Sequence, residues 1–347
     1  DGSSLFSFIE AGSSDLYIVP RFRTAFVNPF NEIPTLEILC SFFTSEGKPL
    51  ESSPDYILRK AANNFKKTTG YDFKALGELE YYVIGDRNNL YPAEDQKGYH
   101  ESDPFTNYED LRLEALELIA QAGGKIKYGH SEVGNFCDSD YCYEQHEIEF
   151  LPTDAEQTAD MMIIAKWILR MLGRKYGVNI SFAPKITVGK AGTGLHFHIL
   201  AMKDGRNMMV EDGRLSELAR KMIAGILDVS TALTAFGNTV PTSYLRLVPN
   251  QEAPTYVCWG DRNRSVLIRV PLGWLHSRNM LTHANPNEPE PKELPNRQTF
   301  EFRVPDGSAD VHYLLAGLIA GAVHGIEMPD ALEKADKLYA PVDIFRE

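Results

Sequence analysis

Four short segments of the 347-residue chain set chemically capable side chains two residues apart around an apolar one. They are Glu78-Leu79-Glu80, Glu147-Ile148-Glu149, His196-Phe197-His198 and Glu301-Phe302-Arg303. Side chains alternate across a strand. Each segment, read as a strand, therefore turns an apolar side chain to a core and offers carboxylate, imidazole or guanidinium on the other face. One such pair means no more than a half-exposed sheet. Four, two of them beside glycine-rich turns, point to a sheet whose concave face is a binding site. Carboxylates gathered on one face repel each other unless a cation sits among them. Oxygen donors with a single imidazole suit Mg²⁺ or Mn²⁺ rather than zinc.

Two further stretches carry candidate chemistry. Arg246 to Arg269 holds four arginines (Arg246, Arg262, Arg264, Arg269) and one glutamate, Glu252, in a chain that is otherwise acidic. Guanidinium groups fixed near strand ends suit carboxylate or phosphate, because the fork matches their geometry and stays charged. Solvated surface arginines are the plainer alternative. The second stretch, Lys185 to His198, places Gly189, Gly192 and Gly194 ahead of the histidine pair. Glycines let a backbone approach a ligand and turn its N–H groups toward an anion. No G-K-[ST] ends the stretch, so it is not a Walker loop, and alone it is a weak phosphate signal.

The elements that must position these residues are mixed. Short strands are expected at Leu5–Ile9, Asp15–Val19 and Leu36–Phe43. Ser53-Pro54 starts a helix to about Lys67, with Ile57, Ala61 and Phe65 inward. A strand follows over Ala75–Ile84. Helices are expected over Tyr108–Ala122, stopped by Gly123-Gly124, and over Asp154–Tyr176, ended by Gly177. Two more are expected over Leu215–Phe236 and Ala309–Ile326, the last rich in small residues and suited to close packing. Ser265–Val270 is strand-like, and residues 284–297 read as a Pro/Asn/Glu-rich loop. Strands mix with helices without regular βαβ alternation, so the expected class is α+β with a largely antiparallel sheet.

Composition excludes several classes. A net charge of −13, from 35 basic and 48 acidic residues, argues against a general nucleic-acid binder. No stretch approaches 18 apolar residues, so no membrane span is expected. The cysteines, Cys40, Cys137, Cys142 and Cys258, form no CxxC pair. Neither a zinc ribbon nor a disulfide framework is indicated, which fits a reducing cytoplasm. The chain opens with Asp1-Gly-Ser-Ser, without an initiating Met or a signal-peptide pattern, and is expected to be a fragment of a longer protein.

With these residues assembled, the chain resembles the catalytic domain of type I glutamine synthetases from Asp1 to about Tyr339. The resemblance rests on Asp1-Gly-Ser-Ser, Gly77-Glu-Leu-Glu80, Gln145-His-Glu147, Gly192-Thr-Gly-Leu-His-Phe-His198, Arg246-Leu-Val-Pro, Arg262-Asn-Arg-Ser265 and Glu301-Phe-Arg-Val-Pro-Asp306. It implies a curved, largely antiparallel sheet flanked by helices. Residues 1–45 would be the remnant of an N-terminal β-grasp domain and linker, and 46–347 the catalytic domain with its last helices cut short. It also implies ATP-dependent ligation of ammonia to the γ-carboxylate of L-glutamate through an acyl phosphate. One Mg²⁺ or Mn²⁺ would be held by Glu80, Glu132 and Glu147, and a second, bridging the ATP phosphates, by Glu78, His196 and Glu301. Arg264 and Arg269 would face the transferring phosphoryl group, and His198 the nucleotide phosphates. Arg246 and Arg303 would hold the carboxylates of glutamate, with Gly192 giving backbone access. Glu252 would ride on a closing flap and help accept the ammonium proton. Asp1 would reach into a neighbouring subunit's site, which requires a homo-oligomer, typically a dodecamer.

The chain also departs from the family pattern. Glu132 and Glu147 are 15 apart, so residues 134–143 look like an insertion. Its Cys137 and Cys142, with Asp138 and Asp140 between, suggest a redox or metal feature or, more plainly, a surface loop. Ala191 stands where an asparagine usually helps hold glutamate, and Leu200 where a serine is usual. Asn296 and Thr299 replace a Lys and an Arg that contact nucleotide phosphates, and Asn250 replaces a flap glycine. Tyr339 aligns loosely with a tyrosine adenylylated in some members, although Ala340 breaks that local motif. Three readings follow: a glutamate–ammonia ligase in the lead, a γ-glutamyl ligase using an amine, and a non-catalytic assembly of the same fold.

Overall fold

The computed structural model describes residues 1–87, 94–251 and 253–345. The N-terminal part holds the short strands β1 (Tyr17–Pro20), β2 (Phe26–Val27), β3 (Leu36–Glu37) and β4 (Cys40–Phe43). β1 pairs with β4 and β2 with β3. The strand expected at Leu5–Ile9 is absent; those residues are turns. Local bonds win there. The Asp1 carboxylate accepts from Ser3 N and Oγ and from Ser4 Oγ, and Phe6 N donates to Gly2 O. Such contacts offer the backbone an alternative to a ladder.

Helix α1 (Pro54–Thr69) carries proline in its first turn and ends on Gly70 at φ 76°, the left-handed conformation that closes a helix at little cost in glycine. Phe65 is fully buried beneath it, while Ile57 and Ala61 pack half-buried against the core. The remaining elements are β5 (Asp72–Asp86), α2 (Glu109–Gln121), β6 (Ile126–Cys137), β7 (Tyr141–Phe150), β8 (Thr153–Asp154), α3 (Ala155–Tyr176), β9 (Asn179–Ser181) and β10 (Leu195–Lys203). After them come β11 (Arg206–Asn207), β12 (Val210–Glu211), β13 (Arg214–Leu215), α4 (Glu217–Gly237), α5 (Ser243–Arg246), β14 (Trp259–Asp261) and β15 (Ile268–Val270). The last are α6 (Ser277–Ala284), β16 (Phe300–Phe302), α7 (Val311–Glu327) and α8 (Ala331–Lys337). The strand signal in Ser265–Val270 is realised only at its end, as β15. No part of the sequence reading anticipated α6.

The principal sheet has ten strands in the order β14-β15-β16-β10-β5-β7-β6, with β11 beside β10 and β8 and β9 beside β5. Its pairings are antiparallel except β14 with β15. β5 pairs with β10 over Asp72–Leu79 and with β7 over Glu78–Asp86. Both partners are therefore present at Glu78 and Leu79. The face carrying Leu79, Ile148, Leu195 and Phe197 is fully buried in the main core, which also takes in α3. Each such aliphatic or aromatic side chain contributes about 1.5–3 kcal/mol by leaving water. The close packing expected of the small-residue C-terminal helix is present. A Cβ on Gly225 of α4 would lie 2.2 Å from the Gly321 carbonyl and the Gly325 nitrogen of α7. The fold is α+β, a curved mixed sheet flanked by helices.

β6 and β7 form a hairpin over the expected insertion. Cys137 and Cys142 face each other in its register and are joined by a disulfide. The sequence reading indicated no disulfide framework; a separation of five across a tight hairpin is what brings these two sulfurs together. Cys40 and Cys258 are free thiols. No single helix among the described residues is long and apolar enough to cross a membrane.

Candidate active site

Sheet register gathers the four alternating pairs. Glu78 lies opposite His196 on one side and Glu149 on the other, and Glu80 lies opposite Glu147. His198 faces Glu301, which in turn faces Arg269. Because residues two apart share a face, these side chains project together into one cavity of about 200 Å³. Arg246, Arg264 and Arg303 line it as well.

Ligating atoms converge in three overlapping groups: Glu78 with His196 and Glu301, Glu80 with Glu147 and His196, and His130 with Glu132 and Glu147. His196 Nδ1 lies 3.3 Å from Glu78 Oε2 and 3.4 Å from Glu301 Oε1, and its Nε2 lies 3.7 Å from Glu80. His130 Nε2 is 3.0 Å from Glu147 Oε2. Glu78, His196 and Glu301 thus meet as one set. Glu80 and Glu132 each meet Glu147, but in different groups, with His130 joining the second.

Burial and crowding set the protonation of this cluster. Burial, and then the charges of Glu78, Glu80, Glu132 and Glu149, push the Glu147 carboxyl well above the ordinary range. Burial works the same way on Glu78, but the imidazoles of His198 and His196 outweigh it and hold that carboxyl well below the range. Burial alone would lower the His198 imidazole; the Glu78 carboxylate, 2.8 Å away, raises it instead. Buried carboxylates crowded enough to raise Glu147, with no more than one imidazole in each group of ligating atoms, fit a hard divalent cation.

The arginines form the opposite wall. Arg269 Nη1 donates to Glu301 Oε2 at 2.8 Å, and Arg303 Nε donates to the other oxygen at 3.1 Å. Arg246 is buried and donates to the carbonyls of Val304 (2.9 Å) and Arg303 (3.2 Å). Arg264 sits by Tyr99, whose phenol is raised by burial against the opposing pull of that guanidinium. Gly192 closes the cavity beside Arg246, and a Cβ there would lie 2.6 Å from Arg246 Cγ. The Gly192 carbonyl accepts from Gln145 Nε2 at 2.9 Å, and the same amide donates to Glu80 at 3.0 Å.

One expected site residue stands apart. Asp1 is exposed, holds its own turn and is not among the residues lining the cavity. Glu252 lies outside the described residues; its neighbour Gln251 lines the cavity. Of the departures, Ala191 lines the cavity and is held by both backbone groups, its N–H donating to Gln96 Oε1 (2.6 Å) and its carbonyl accepting from Tyr82 Oη (2.9 Å). Asn250 has φ 61°, the conformation that explains a glycine preference there and that asparagine also tolerates. Leu200, Asn296, Arg297 and Thr299 line a second, more apolar cavity of about 450 Å³ next to the first. Tyr339 packs on Trp259 and donates to Asp261 Oδ2 at 3.1 Å.

The chain matches the family of glutamine synthetase catalytic domains over residues 51–337. It is 30% identical over 339 residues to the glutamine synthetase of Thermus thermophilus, covering 94% of this chain and 70% of that protein. It is 32% identical over 329 residues to that of Pyrococcus furiosus, covering 94% and 67%. The chain belongs to the glutamine synthetase family. Its fold also superposes on a Plasmodium falciparum glutamine synthetase with a TM-score of 0.78 at 23% identity, covering 94% of this chain and 66% of that one. For a structure described as a GmaS/ADP complex the TM-score is 0.74 at 19% identity, covering 97% and 72%.

Against this glutamine synthetase frame, sequence reasoning missed His130, Tyr99, Lys127 and Tyr128, all lining the cavity. His130 had a signal, since it stands two before Glu132 in the same alternation. Glu149 belonged to a recognised pair but was given no role.

Proposed function

We propose that this chain is the catalytic part of a glutamate–ammonia ligase. ATP would phosphorylate the γ-carboxylate of L-glutamate, forming an O–P bond as the bond to ADP breaks. Ammonia would then attack the acyl carbon, forming C–N as phosphate leaves, giving glutamine, ADP and phosphate. The observation that carries this reading is the position of Glu301. One carboxylate faces His196 in the acid cluster and accepts from Arg269 and Arg303 of the arginine wall, so cation-binding and anion-binding chemistry meet within a single cleft.

Two Mg²⁺ or Mn²⁺ ions would be held by Glu78, His196 and Glu301 and by Glu80, Glu132 and Glu147, with His130 beside the latter. Bound there, they would neutralise charge on the transferring phosphoryl group. Arg264 and Arg269 would stabilise the charge that develops on phosphoryl oxygens, where fixed donors need no reorganisation. Arg246 and Arg303 would orient the glutamate carboxylates, with Gly192 leaving room beside them. His198, held by Glu78 and Thr299, would meet the nucleotide phosphates. Glu252 would exclude water and take a proton from ammonium. Asp1 would act in a neighbouring copy's cleft, which would require a homo-oligomer, with a dodecamer as the expected assembly. The partners are then glutamate, ammonia and ATP, in the cytoplasm, with neither nucleic acid nor membrane.

A second reading, a γ-glutamyl ligase that takes an amine, is favoured by Ala191, whose methyl leaves space where a polar side chain would stand. The test is phosphate release with Mg²⁺, ATP and glutamate, adding ammonium and then a panel of amines. Release dependent on ammonium is expected. Release with an amine alone moves the assignment to the second reading. Nucleotide binding without release under either condition means a non-catalytic assembly.

A further inference from the structure

The two cavities meet at a neck. Lys127, His198 and Pro271 line both of them. If a nucleotide places its base and sugar in the larger, more apolar cavity and its terminal phosphate at the acid cluster, the phosphate chain must cross this neck. The charge there is unusual. Asn296 and Thr299, on the wall of the larger cavity, are neutral, and Thr299 Oγ1 is engaged with His198 Nδ1 at 2.8 Å. Lys74, also on that wall, is paired with Asp154 at 2.6 Å, and Arg297 lines the larger cavity only.

Lys127 reaches the neck by strand alternation. Ile126 of β6 pairs with Phe150 of β7, whose side chain is buried in the core, so the next residue, Lys127, turns to the cleft face. Tyr128 also pairs with Glu149, a bulge that puts its ring on the same face. The Lys127 ammonium lies against Glu149 and 5.0 Å from the Tyr128 ring centre. Tyr128 Oη donates to the other Glu149 oxygen at 2.5 Å. Glu149 is thus clamped from both sides and holds the ammonium in place. An ammonium has three N–H donors, so one bond to Glu149 leaves others for phosphate oxygens.

We propose that Lys127, held in the neck beside Glu149, grips the phosphate chain of the nucleoside triphosphate and supplies the positive charge that positions 296 and 299 lack. This deepens the ligase reading and rests on its nucleotide assignment. Calorimetric titration of the full chain in Mg²⁺ with ADP and with a non-hydrolysable ATP analogue tests it. Charge-assisted hydrogen bonds of this kind correspond to about tenfold or more in affinity. Lys127→Met is expected to weaken both ligands at least tenfold, with Lys127→Arg keeping most of the affinity. The alternative, that Lys127 only neutralises Glu149, predicts that the double variant Lys127→Met/Glu149→Gln binds ADP as tightly as the wild type. That result, or an unchanged affinity in Lys127→Met, overturns the inference. Continued weak binding by the double variant supports it. Absence of nucleotide binding by the wild type would overturn the nucleotide reading itself, and the inference with it.

Discussion

Glu144 and Glu147 are three residues apart on β7, both are buried, and their protons are held in opposite senses. Glu144 lies on the helix-packed face. Burial works against its ionised form, but His146, Thr106 and the Asn107 N–H all favour it, and its pKa falls to about 2. Glu147, on the cleft face, has four carboxylates for company and is pushed well above the usual range. Asp160 is likewise surrounded by donors: it accepts from Arg21 (2.8 Å), Arg23 (2.7 Å) and His312 (3.0 Å) and ties the N-terminal segment to α3 and α7. Both faces bury charge, but only one surrounds it with opposite charge and donors. The compensated carboxylates hold the fold together; the crowded ones present ligand atoms that suit a cation, and the fold tolerates them at a cost.

The largest test of that contrast is Glu147→Gln. Turnover is expected to fall at least about 10³-fold, equivalent to about 4 kcal/mol of barrier. Stability without metal should hold or rise, since one member of a repelling set is gone. Steady-state phosphate release and urea unfolding in EDTA read the two quantities; a matching loss of stability would place Glu147 with Glu144.

The next effect runs through pH. The folded-state pKa of Glu144 is depressed, so its contribution is complete above the unfolded value of 4.5 and is lost as pH falls toward about 2. That gap corresponds to about 3 kcal/mol. Urea midpoints between pH 5 and pH 2 should fall more steeply for the wild type than for Glu144→Gln, which starts lower. Parallel curves would remove Glu144 from the compensated class.

The smallest effect concerns the cation itself. Mg²⁺ at 100 times its dissociation constant should stabilise the wild type by about 2.7 kcal/mol. Glu147→Gln should lose most of that gain and Glu144→Gln should keep it. Thermal unfolding with and without Mg²⁺ decides, and equal gains in both variants would dissolve the distinction between the two faces.

Much of the cleft was legible because it is written in strand alternation. Glu78, Glu80, Glu147, His196, His198 and Glu301 each share a short period-two segment with another cleft residue, and register does the rest. Helix starts and stops at Pro54, Gly70 and Gly177 were equally plain, because proline and left-handed glycine act locally. What escaped depends on departures from periodicity or on distant partners. The cleft position of Tyr128 needs a bulge that no local residue announces. The Cys137–Cys142 bond needs a hairpin register. The turns at residues 3–9 arise from serine hydroxyls capturing Asp1 instead of a ladder. Glu132 was expected with Glu80 and Glu147 alone, whereas the cross-strand pairing of His130 with Glu147 adds an imidazole to its group.

The hairpin that absorbs residues 134–143 bears on how such a chain can change length. Along β5 or β10 a single inserted or deleted residue would exchange the two faces, sending carboxylates into the core and leucines into the cleft. At the turn of the ribbon, Asp138–Asp140, there is no such penalty, since those residues lie outside the ladders and between the two ends of the sulfur bridge. Lineages bearing this fold should accordingly vary in length at that tip and hold the count fixed between Glu78 and Glu80, making the ribbon a natural place to graft a peptide tag without disturbing the chemistry.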